Sequence, residues 1–244
     1  WEKFKKVYQM LNRAYVRIFP VFFISIFLFL IFFSGCKGQY KREKPQERES
    51  IVCPQGMEPV KVLRVIDGDT VELEGSKRLR YAGINALELH TETGQPEPYA
   101  REAYLRNKEL VEGKTLCFEK ALRERDRYGR LLGDLYFPNG TSISEILVSE
   151  GLAMVCYYEG SGKFFDRLLP IQRKAIAERK NLFSYIEKPQ GKLNYIGNKK
   201  SRRFHHPQCK EARKIKSKVI FKDLEEALKE GYCPSRECSN LIFN

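Results

Sequence analysis

A regular alternation of apolar and polar residues begins near residue 57. The segment PVKVLRVI (59–66) is followed by DGDT and then by VELEG, a pattern that predicts two strands joined by a tight turn. Further strands are predicted at KRLRYAGI, KTLCFEK and RLLGDLYF, the last of which ends at the turn PNGT. Several short strands with helices between them indicate a small β-barrel with helices packed on it, an α+β fold.

Three segments between and after these strands have the apolar spacing of helices. EPYAREAYLRNKELVEG places its apolar residues on one helical face. Ser142 and Glu145 have the spacing of a capping box, which predicts a short helix ending near Gly151. The third helix, predicted at LLPIQRKAIAERKNLF, closes the domain.

The most apolar stretch of the chain runs from Ile18 to Phe33 and is preceded by Arg13 and Arg17. It is shorter than the roughly 20 residues of a comfortable membrane span. Basic residues, a short apolar run and the small residues of FSGC are typical of a secretory signal. The ending resembles the lipobox of bacterial lipoproteins, which implies a lipid on Cys36. An uncleaved membrane anchor is the alternative, and either one places the later residues outside the cytoplasm, in the periplasm or at the cell surface.

Composition divides the chain into five parts. Residues 1–36 are the signal or anchor segment, and residues 37–56 are a charged, polar linker. Residues 57–187 hold the predicted barrel. The segment KPQGK (188–192) is a second linker, and 193–244 is a small module with a helix predicted at FKDLEEALKEG.

The net charge of +13 is concentrated at the two ends of the chain. Residues 1–56 have 10 basic and 4 acidic side chains, residues 191–244 have 13 and 6, and the middle has 21 of each. A basic surface favours nucleic acid or anionic lipid. We expect the last module to hold a phosphate backbone beside the neutral middle domain. The basic residues expected to do so are Lys199, Lys200, Arg202, Arg203, Lys214, Lys216 and Lys218.

Carboxylates, arginines and an amide are spread along the predicted barrel. Carboxylate and amide oxygens suit a hard cation such as Ca²⁺, and guanidinium groups suit phosphate. A nearby carboxylate can activate water, which completes the parts needed for phosphodiester hydrolysis. If the strands form one barrel, the residues that can converge are Asp67, Asp69, Arg80, Asn85, Glu88 and Arg130. Asp67 is expected to be a turn residue that accepts backbone hydrogen bonds.

Four motifs, VIDGDTVEL, RLRYAGINALE, RDRYGRLLGDLY and EILVSEGLAMVCYY, occur in the order and at the spacing of one family. From Val60 to about Tyr185 the chain resembles the staphylococcal nuclease (thermonuclease) family. The resemblance implies a five-stranded OB-fold barrel with three helices. It also implies Ca²⁺-dependent hydrolysis of DNA or RNA, as an endonuclease, to 3′-phosphate products.

The resemblance further implies roles for individual residues. Asp69 and Asn85 would bind Ca²⁺. Arg80 and Arg130 would bind the phosphate and stabilise the transition state, and Glu88 would be the general base. Substrate contacts are expected from two tyrosines. They are Tyr128, within RDRYGR, and Tyr157.

One position departs from the family pattern. Asn85 stands where the family usually has an aspartate, so it supplies an oxygen ligand without a charge and should hold the cation more weakly. A nucleic-acid-binding protein that uses the same barrel without cutting is therefore an alternative function. A cell-envelope scaffold is a second alternative.

The last module has histidine and cysteine residues at metal-ligand spacing. His205 and Cys209 are followed by Cys233 and Cys238, which predicts a structural zinc site. The segment resembles the Ada-type zinc-binding module, although Ser235 stands where the first cysteine of the second pair is expected. In an exported protein, a Cys233–Cys238 disulfide or a disulfide of Cys209 is the alternative.

Two other cysteines, Cys117 and Cys156, lie in apolar strand segments and are expected to be buried thiols. The chain is expected to be a monomer, with nucleic acid and a membrane as its partners.

Overall fold

The computed structural model of the protein describes residues 51–91, 94–185 and 194–243. The expected signal segment, the lipid site at Cys36 and the linker at 188–192 lie outside the described residues. None of the helices in the described parts is both long enough and apolar enough to cross a membrane.

Five strands close into a barrel in the order β1, β2, β3, β6, β5. They are β1 (Glu58–Asp67), β2 (Thr70–Leu73), β3 (Lys77–Tyr81), β5 (Thr115–Arg125) and β6 (Leu131–Tyr136). The β3–β6 pair is parallel and the other neighbours are antiparallel. Two more short strands, β4 (Ile84–Asn85) and β7 (Met154–Val155), pair with each other beside the barrel. This arrangement confirms the predicted α+β fold with a five-stranded barrel.

Helices α1 (Ala100–Val111), α2 (Ile143–Ser149) and α3 (Gly162–Ala177) pack on the barrel. Ser142 caps α2, because its side-chain oxygen accepts a hydrogen bond from the Glu145 backbone N–H at 3.0 Å. The predicted third helix is divided into α3 and a short α4 (Leu182–Tyr185). The break falls where Arg179 and Asn181 adopt φ angles of 53° and 38°, which end a right-handed helix.

Residues 194–243 form a four-stranded sheet with helices beside it. Its strands, in the order β10, β8, β9, β11, are β8 (Tyr195–Asn198), β9 (Arg203–His205), β10 (Lys218–Phe221) and β11 (Cys233–Pro234). Helices α5 (Leu224–Lys229) and α6 (Ser239–Phe243) follow β10 and β11 respectively. Asp223 caps α5 by accepting a hydrogen bond from the Glu226 backbone N–H at 2.7 Å.

This C-terminal segment shares a hydrophobic core with the barrel's helices. Met154, Ile176 and Phe183 lie in one buried cluster with Phe204 and Leu228. A buried hydrogen bond of 2.7 Å also runs from the Gln172 side chain, in α3, to the Leu228 carbonyl. The two parts therefore stabilise each other through a continuous apolar contact.

Three disulfides connect the described residues. They are Cys53–Cys117, Cys156–Cys233 and Cys209–Cys238, with Cα–Cα distances of 5.5, 5.3 and 5.9 Å. The expectation that Cys117 and Cys156 are thiols is wrong, because the segment before β1 lies beside β5 and because β11 approaches β7. These bonds use six of the seven cysteines, and the seventh is Cys36.

The predicted zinc site is not assembled as a set of four ligands. Cys233 is bonded to Cys156 and does not belong to the cluster that the other three candidates form. Within the described residues, His205, Cys209 and Cys238 are the group of three metal-ligand side chains whose ligand atoms lie within 4.8 Å of one another. Cys209 and Cys238 form a disulfide, whose sulfur atoms lack the thiolate charge that holds zinc. The covalent link within this segment is thus the Cys209–Cys238 disulfide. It confirms the alternative of a disulfide of Cys209, whereas the alternative Cys233–Cys238 pairing is wrong.

Candidate active site

The DGDT turn between β1 and β2 presents one of its two aspartates to a pocket. Asp67 shapes the turn, because its Oδ1 atom accepts a hydrogen bond from the Asp69 backbone N–H at 3.0 Å. Gly68 is needed for a close approach. A Cβ atom there would lie 2.5 Å from the Ala86 Cβ and 2.8 Å from the Ala103 Cβ. The glycine therefore lets the turn lie against both the β4 loop and α1.

Asp69 is almost fully buried and its carboxylate has three protein partners. The Oδ2 atom pairs with Arg80 Nη2 at 2.8 Å and accepts from the Ala86 backbone N–H at 2.7 Å. The Oδ1 atom accepts from the Thr70 hydroxyl at 3.0 Å. Burial raises the pKa of Asp69 to about 7 and outweighs the lowering effect of the Arg80 charge, while the Asp67 charge raises it further. A cation bound here would favour the ionised carboxylate.

Arg80 is buried and holds the β3–β4 loop in place. Its Nη1 atom donates to the carbonyls of Tyr81 and Ile84, both at 2.9 Å. Its Nη2 atom donates to the Asn85 side-chain oxygen at 3.0 Å as well as to Asp69. The arginine predicted to bind phosphate thus also positions both residues that were predicted to bind the cation.

Glu88 is half exposed at the edge of the same pocket. Its carboxylate lies 3.2 Å from Arg236 Nη2, which belongs to the C-terminal segment. Its backbone N–H donates to Glu97 Oε2 at 2.7 Å. Glu97 in turn accepts a hydrogen bond from the Ser239 hydroxyl of α6. The backbone of the predicted general base is therefore fixed, while its carboxylate stays accessible from solvent.

Arg130 approaches the pocket from the turn before β6. Its Nε atom and its backbone N–H both donate to Asp126, at 2.7 and 3.0 Å. Tyr128, which is 61% exposed, lies between two guanidinium groups, with Arg127 and Arg130 at 4.8 and 5.5 Å from its ring centroid. Asp126 holds Arg130 through one edge, which leaves the Nη groups for another acceptor.

These residues enclose a small pocket of about 40 Å³. Its lining residues are Asp67, Asp69, Arg80, Ala86, Leu87, Glu88, Arg130 and Arg236. The three carboxylates are oxygen donors of the kind that a hard divalent cation prefers, and no sulfur or imidazole ligand lines the pocket. The donor set therefore fits Ca²⁺ better than a soft metal.

A larger cavity of about 450 Å³ adjoins the pocket and includes residues of the C-terminal segment. Six arginines and three carboxylates line it. The arginines are Arg80, Arg123, Arg127, Arg130, Arg203 and Arg236, and the carboxylates are those of Asp126, Glu159 and Glu237. The cavity is thus locally cationic although the middle of the chain is neutral overall, so an anionic ligand fits it.

The structure brings most of the predicted site residues together. Tyr128 lines the cavity, but Tyr157 does not. The Tyr157 ring packs edge-on against Phe165, with the centroids 5.6 Å apart. The next residue, Tyr158, lines the cavity instead and donates a hydrogen bond from its hydroxyl to the Asn85 side-chain oxygen at 3.3 Å.

Sequence reasoning missed, as site residues, the two cavity arginines that belong to the C-terminal segment. Arg203 was expected only as one of several phosphate-binding surface residues, and Arg236 was not singled out. No local pattern marks them. A predicted Cys156–Cys233 disulfide could have shown that the segment of Arg203 and Arg236 lies near the site. Cys156 directly precedes Tyr157 and Tyr158 in the sequence.

Several known proteins are similar to this chain in sequence. A family model described as "Staphylococcal nuclease homologue" matches residues 78–185. Endonuclease YncB of Bacillus subtilis is 37% identical over 142 residues, which cover 56% of this chain and 63% of the relative. The SPbeta prophage-derived endonuclease YokF of the same organism is 39% identical over 127 residues, which cover 50% of this chain and 42% of the relative.

A thermonuclease of Staphylococcus hyicus is 33% identical over 127 residues, which cover 51% of this chain and 75% of the relative. An uncharacterized endonuclease of Escherichia coli is 36% identical over 128 residues, which cover 76% of that relative. The chain spans less than two thirds of the two Bacillus relatives, but about three quarters of these two proteins.

Proposed function

The chain belongs to the staphylococcal nuclease family, and from this premise we propose that it is a Ca²⁺-dependent endonuclease that hydrolyses DNA or RNA. One observation carries the proposal. Four residues that are far apart in the sequence line one small pocket. Their carboxylates offer oxygen ligands to a cation, and their guanidinium groups offer donors to a phosphate. The four residues are Asp69, Arg80, Glu88 and Arg130.

Hydrolysis of a phosphodiester needs a proton acceptor for the attacking water and donors for the charge that develops on the phosphoryl oxygens. Glu88 supplies the acceptor, because its carboxylate is accessible at the pocket edge. Arg130 supplies donors from its Nη groups. As the water oxygen bonds to phosphorus, its proton passes to Glu88. The bond to the 5′ oxygen breaks, and that oxygen takes a proton from solvent water. The products then carry a 3′-phosphate and a 5′-hydroxyl.

Asp69 and Asn85 are the residues that would hold the cation. When bound, Ca²⁺ supplies positive charge that neutralises the phosphate and polarises it toward attack. Asp69 contributes the buried negative charge. Asn85 contributes an amide oxygen that accepts hydrogen bonds from Arg80 and Tyr158, so it must share this oxygen with them.

Replacing Asn85 with aspartate should tighten Ca²⁺ binding about tenfold, since a second carboxylate charge would face the cation. The Oδ1 atom would keep its two donors, Arg80 and Tyr158. Calorimetric titration with Ca²⁺ measures the change without relying on activity. Asn85→Ala is the matched control and should bind Ca²⁺ more weakly than the wild type. Equal affinity of the aspartate variant and the wild type would show that residue 85 does not face the cation.

Three disulfides support a location in an oxidising compartment outside the cytoplasm. Because they use all the other cysteines, Cys36 is left as the residue that a lipid would modify. We place the enzyme at the outer side of a membrane, attached through that lipid. Mass spectrometry of the membrane fraction before and after Cys36→Ala tests this, because a protein held by the lipid should be released by the substitution.

Circular single-stranded DNA and a matched RNA test the activity itself, since a circle can be opened only by cutting an internal bond. Incubation with Ca²⁺ should convert the circle to linear fragments, and chelator should prevent it. Binding of the same DNA is measured in chelator in parallel. Binding without Ca²⁺-dependent cleavage would support a non-catalytic nucleic-acid-binding protein, and absence of both would support a scaffold.

A further inference from the structure

The cavity beside the pocket contains an arginine whose hydrogen bonds the protein does not complete. Arg203 belongs to β9, and its Nη1 atom is buried without a hydrogen-bond partner. Its guanidinium carbon lies 4.5 Å from the centroid of the Tyr158 ring, which fixes its position by a cation–π contact. A buried charged donor without an acceptor is unfavourable, so an acceptor from a ligand would stabilise Arg203.

Arg203 lies close to the proposed cleavage site. The guanidinium carbon of Arg80 is 5.8 Å from the centroid of the same Tyr158 ring. The two arginines are therefore neighbours of a single aromatic ring, and both line the 450 Å³ cavity. Arg236, which contacts Glu88, lines this cavity as well as the small pocket.

The other charges of the cavity do not neutralise Arg203. Asp126 pairs with Arg130 at 2.7 Å, and Glu159 pairs with Arg123 at 3.0 Å. These pairs use two of the three carboxylates that line the cavity. An anionic group of the ligand is thus a natural partner of Arg203, whose Nη1 atom has no acceptor among the residues that the structure describes. A guanidinium binds phosphate oxygens through two parallel donors.

The wall that holds Arg203 is fixed to the barrel. Cys233, which pairs in β11 with Arg203 in β9, is bonded to Cys156 at the end of β7. Arg202, next to Arg203, packs its guanidinium 4.8 Å from the Phe165 ring centroid of α3. The position of Arg203 relative to the barrel is therefore set by a covalent bond and by packing.

We propose that Arg203 binds a second phosphate of the polynucleotide, next to the one that is cleaved. Residues 194–243 then form one wall of the substrate site and are more than a basic tether. The proposal rests on the proposed nuclease function for the identity of the ligand. If Arg203 binds this second phosphate, a polynucleotide is a better substrate than an ester with a single phosphate, because only the polynucleotide has a phosphate that reaches Arg203.

The test compares Arg203→Gln with Lys222→Gln, a substitution at an exposed residue of the same segment that does not line the cavity. Binding of a short oligothymidylate is measured in chelator over a range of salt concentrations. We expect Arg203→Gln to weaken binding about tenfold, as loss of a charged hydrogen-bond pair does. The slope of log affinity against log salt should fall by about 0.7, the value for one phosphate contact on a single strand. Lys222→Gln should change neither value appreciably.

Cleavage of two substrates gives a second readout. Arg203→Gln should raise KM for the oligothymidylate and leave kcat/KM for a dinucleoside monophosphate, which has one phosphate, unchanged. If Arg203→Gln does not fold, as judged by its melting temperature, Arg203→Lys replaces it. The lysine keeps the charge but loses the paired donors, so the salt slope should persist while affinity falls about threefold.

Unchanged oligothymidylate affinity and salt slope in Arg203→Gln, or unchanged affinity in Arg203→Lys, would overturn the inference even if the wild type cleaves DNA. Conversely, a wild type that binds the oligothymidylate through Arg203 but never cleaves it would overturn the nuclease function and leave the phosphate site standing. The two failures are therefore distinguishable.

Discussion

Replacing Asp69 with alanine is expected to lower kcat/KM for Ca²⁺-dependent DNA cleavage by at least about 10³-fold, since several kcal/mol of charge stabilisation would be lost with the cation. Asp69 is the buried carboxylate of the pocket. Among the described residues, no second buried carboxylate lines the pocket. Asn85, which lines the adjoining cavity, is an uncharged amide and cannot take over. The loss also leaves Arg80 with an uncompensated buried charge, which weakens the loop that it holds.

The matched control for this prediction is Asp67→Asn. An asparagine retains the Oδ1 acceptor for the Asp69 backbone N–H, so the turn should keep its shape. We expect activity within about threefold of the wild type, since the pocket keeps Asp69 itself. Binding of DNA in chelator should survive both substitutions. An Asp69→Ala enzyme with more than a tenth of wild-type activity would show that the cation site lies elsewhere.

Glu88→Gln is expected to reduce kcat about 10²- to 10⁴-fold, the range that general base catalysis supplies. Glutamine has the same shape and keeps its backbone hydrogen bond to Glu97, but it cannot accept the proton of the attacking water. KM should change little, because the residue is at the pocket edge and its main effect falls on the chemical step. Single-turnover cleavage with enzyme in excess measures this step directly.

Glu159→Gln serves as the control for the loss of one negative charge near the substrate. Glu159 lines the cavity and pairs with Arg123 at an exposed position, but it does not line the small pocket. Its substitution should leave kcat within about twofold, since exposed ion pairs contribute little. If both variants lost activity equally, charge in the cavity rather than proton transfer would explain the effect of Glu88.

Local sequence patterns predict the barrel well, for identifiable reasons. The apolar segment PVKVLRVI corresponds to β1. Its Val62 and Val65 are both buried in the core although they are three positions apart, because the register shifts between Val62 and Arg64. The glycine of DGDT indicates that the turn lies close to neighbouring segments, and the structure places it against Ala86 and Ala103. The third predicted helix is broken where Arg179 and Asn181 adopt left-handed conformations. It also begins at Gly162, before the predicted start.

Contacts between distant segments could not be predicted in the same way. The ligand-like spacing of His205, Cys209, Cys233 and Cys238 fits a zinc site and a disulfide framework equally well, so the Cys156–Cys233 pairing was not apparent. Arg236 reaches Glu88 across 148 residues of sequence. Such a contact depends on how the C-terminal segment packs on the barrel, which no short-range pattern encodes.

The prediction that Tyr157 contacts the substrate differs by one sequence position from the tyrosine that lines the cavity, Tyr158. Adjacent residues in an extended segment point to opposite sides, so a shift of one position exchanges the core for the cavity. The resemblance to the family favoured Tyr157, whereas the packing of Phe165 places that ring away from the cavity. Tyr158 instead contacts Asn85 and both Arg80 and Arg203.

The most direct test of the proposed nuclease is a Ca²⁺ add-back experiment on the purified chain. A labelled single-stranded DNA is incubated with wild type or Asp69→Ala in chelator, and excess Ca²⁺ is then added. We expect no products before the addition. Afterwards we expect fragments with 3′-phosphate ends from the wild type alone. Cleavage that proceeds in chelator, or a wild type that binds the DNA and still leaves it intact after Ca²⁺ is added, would contradict the proposed function.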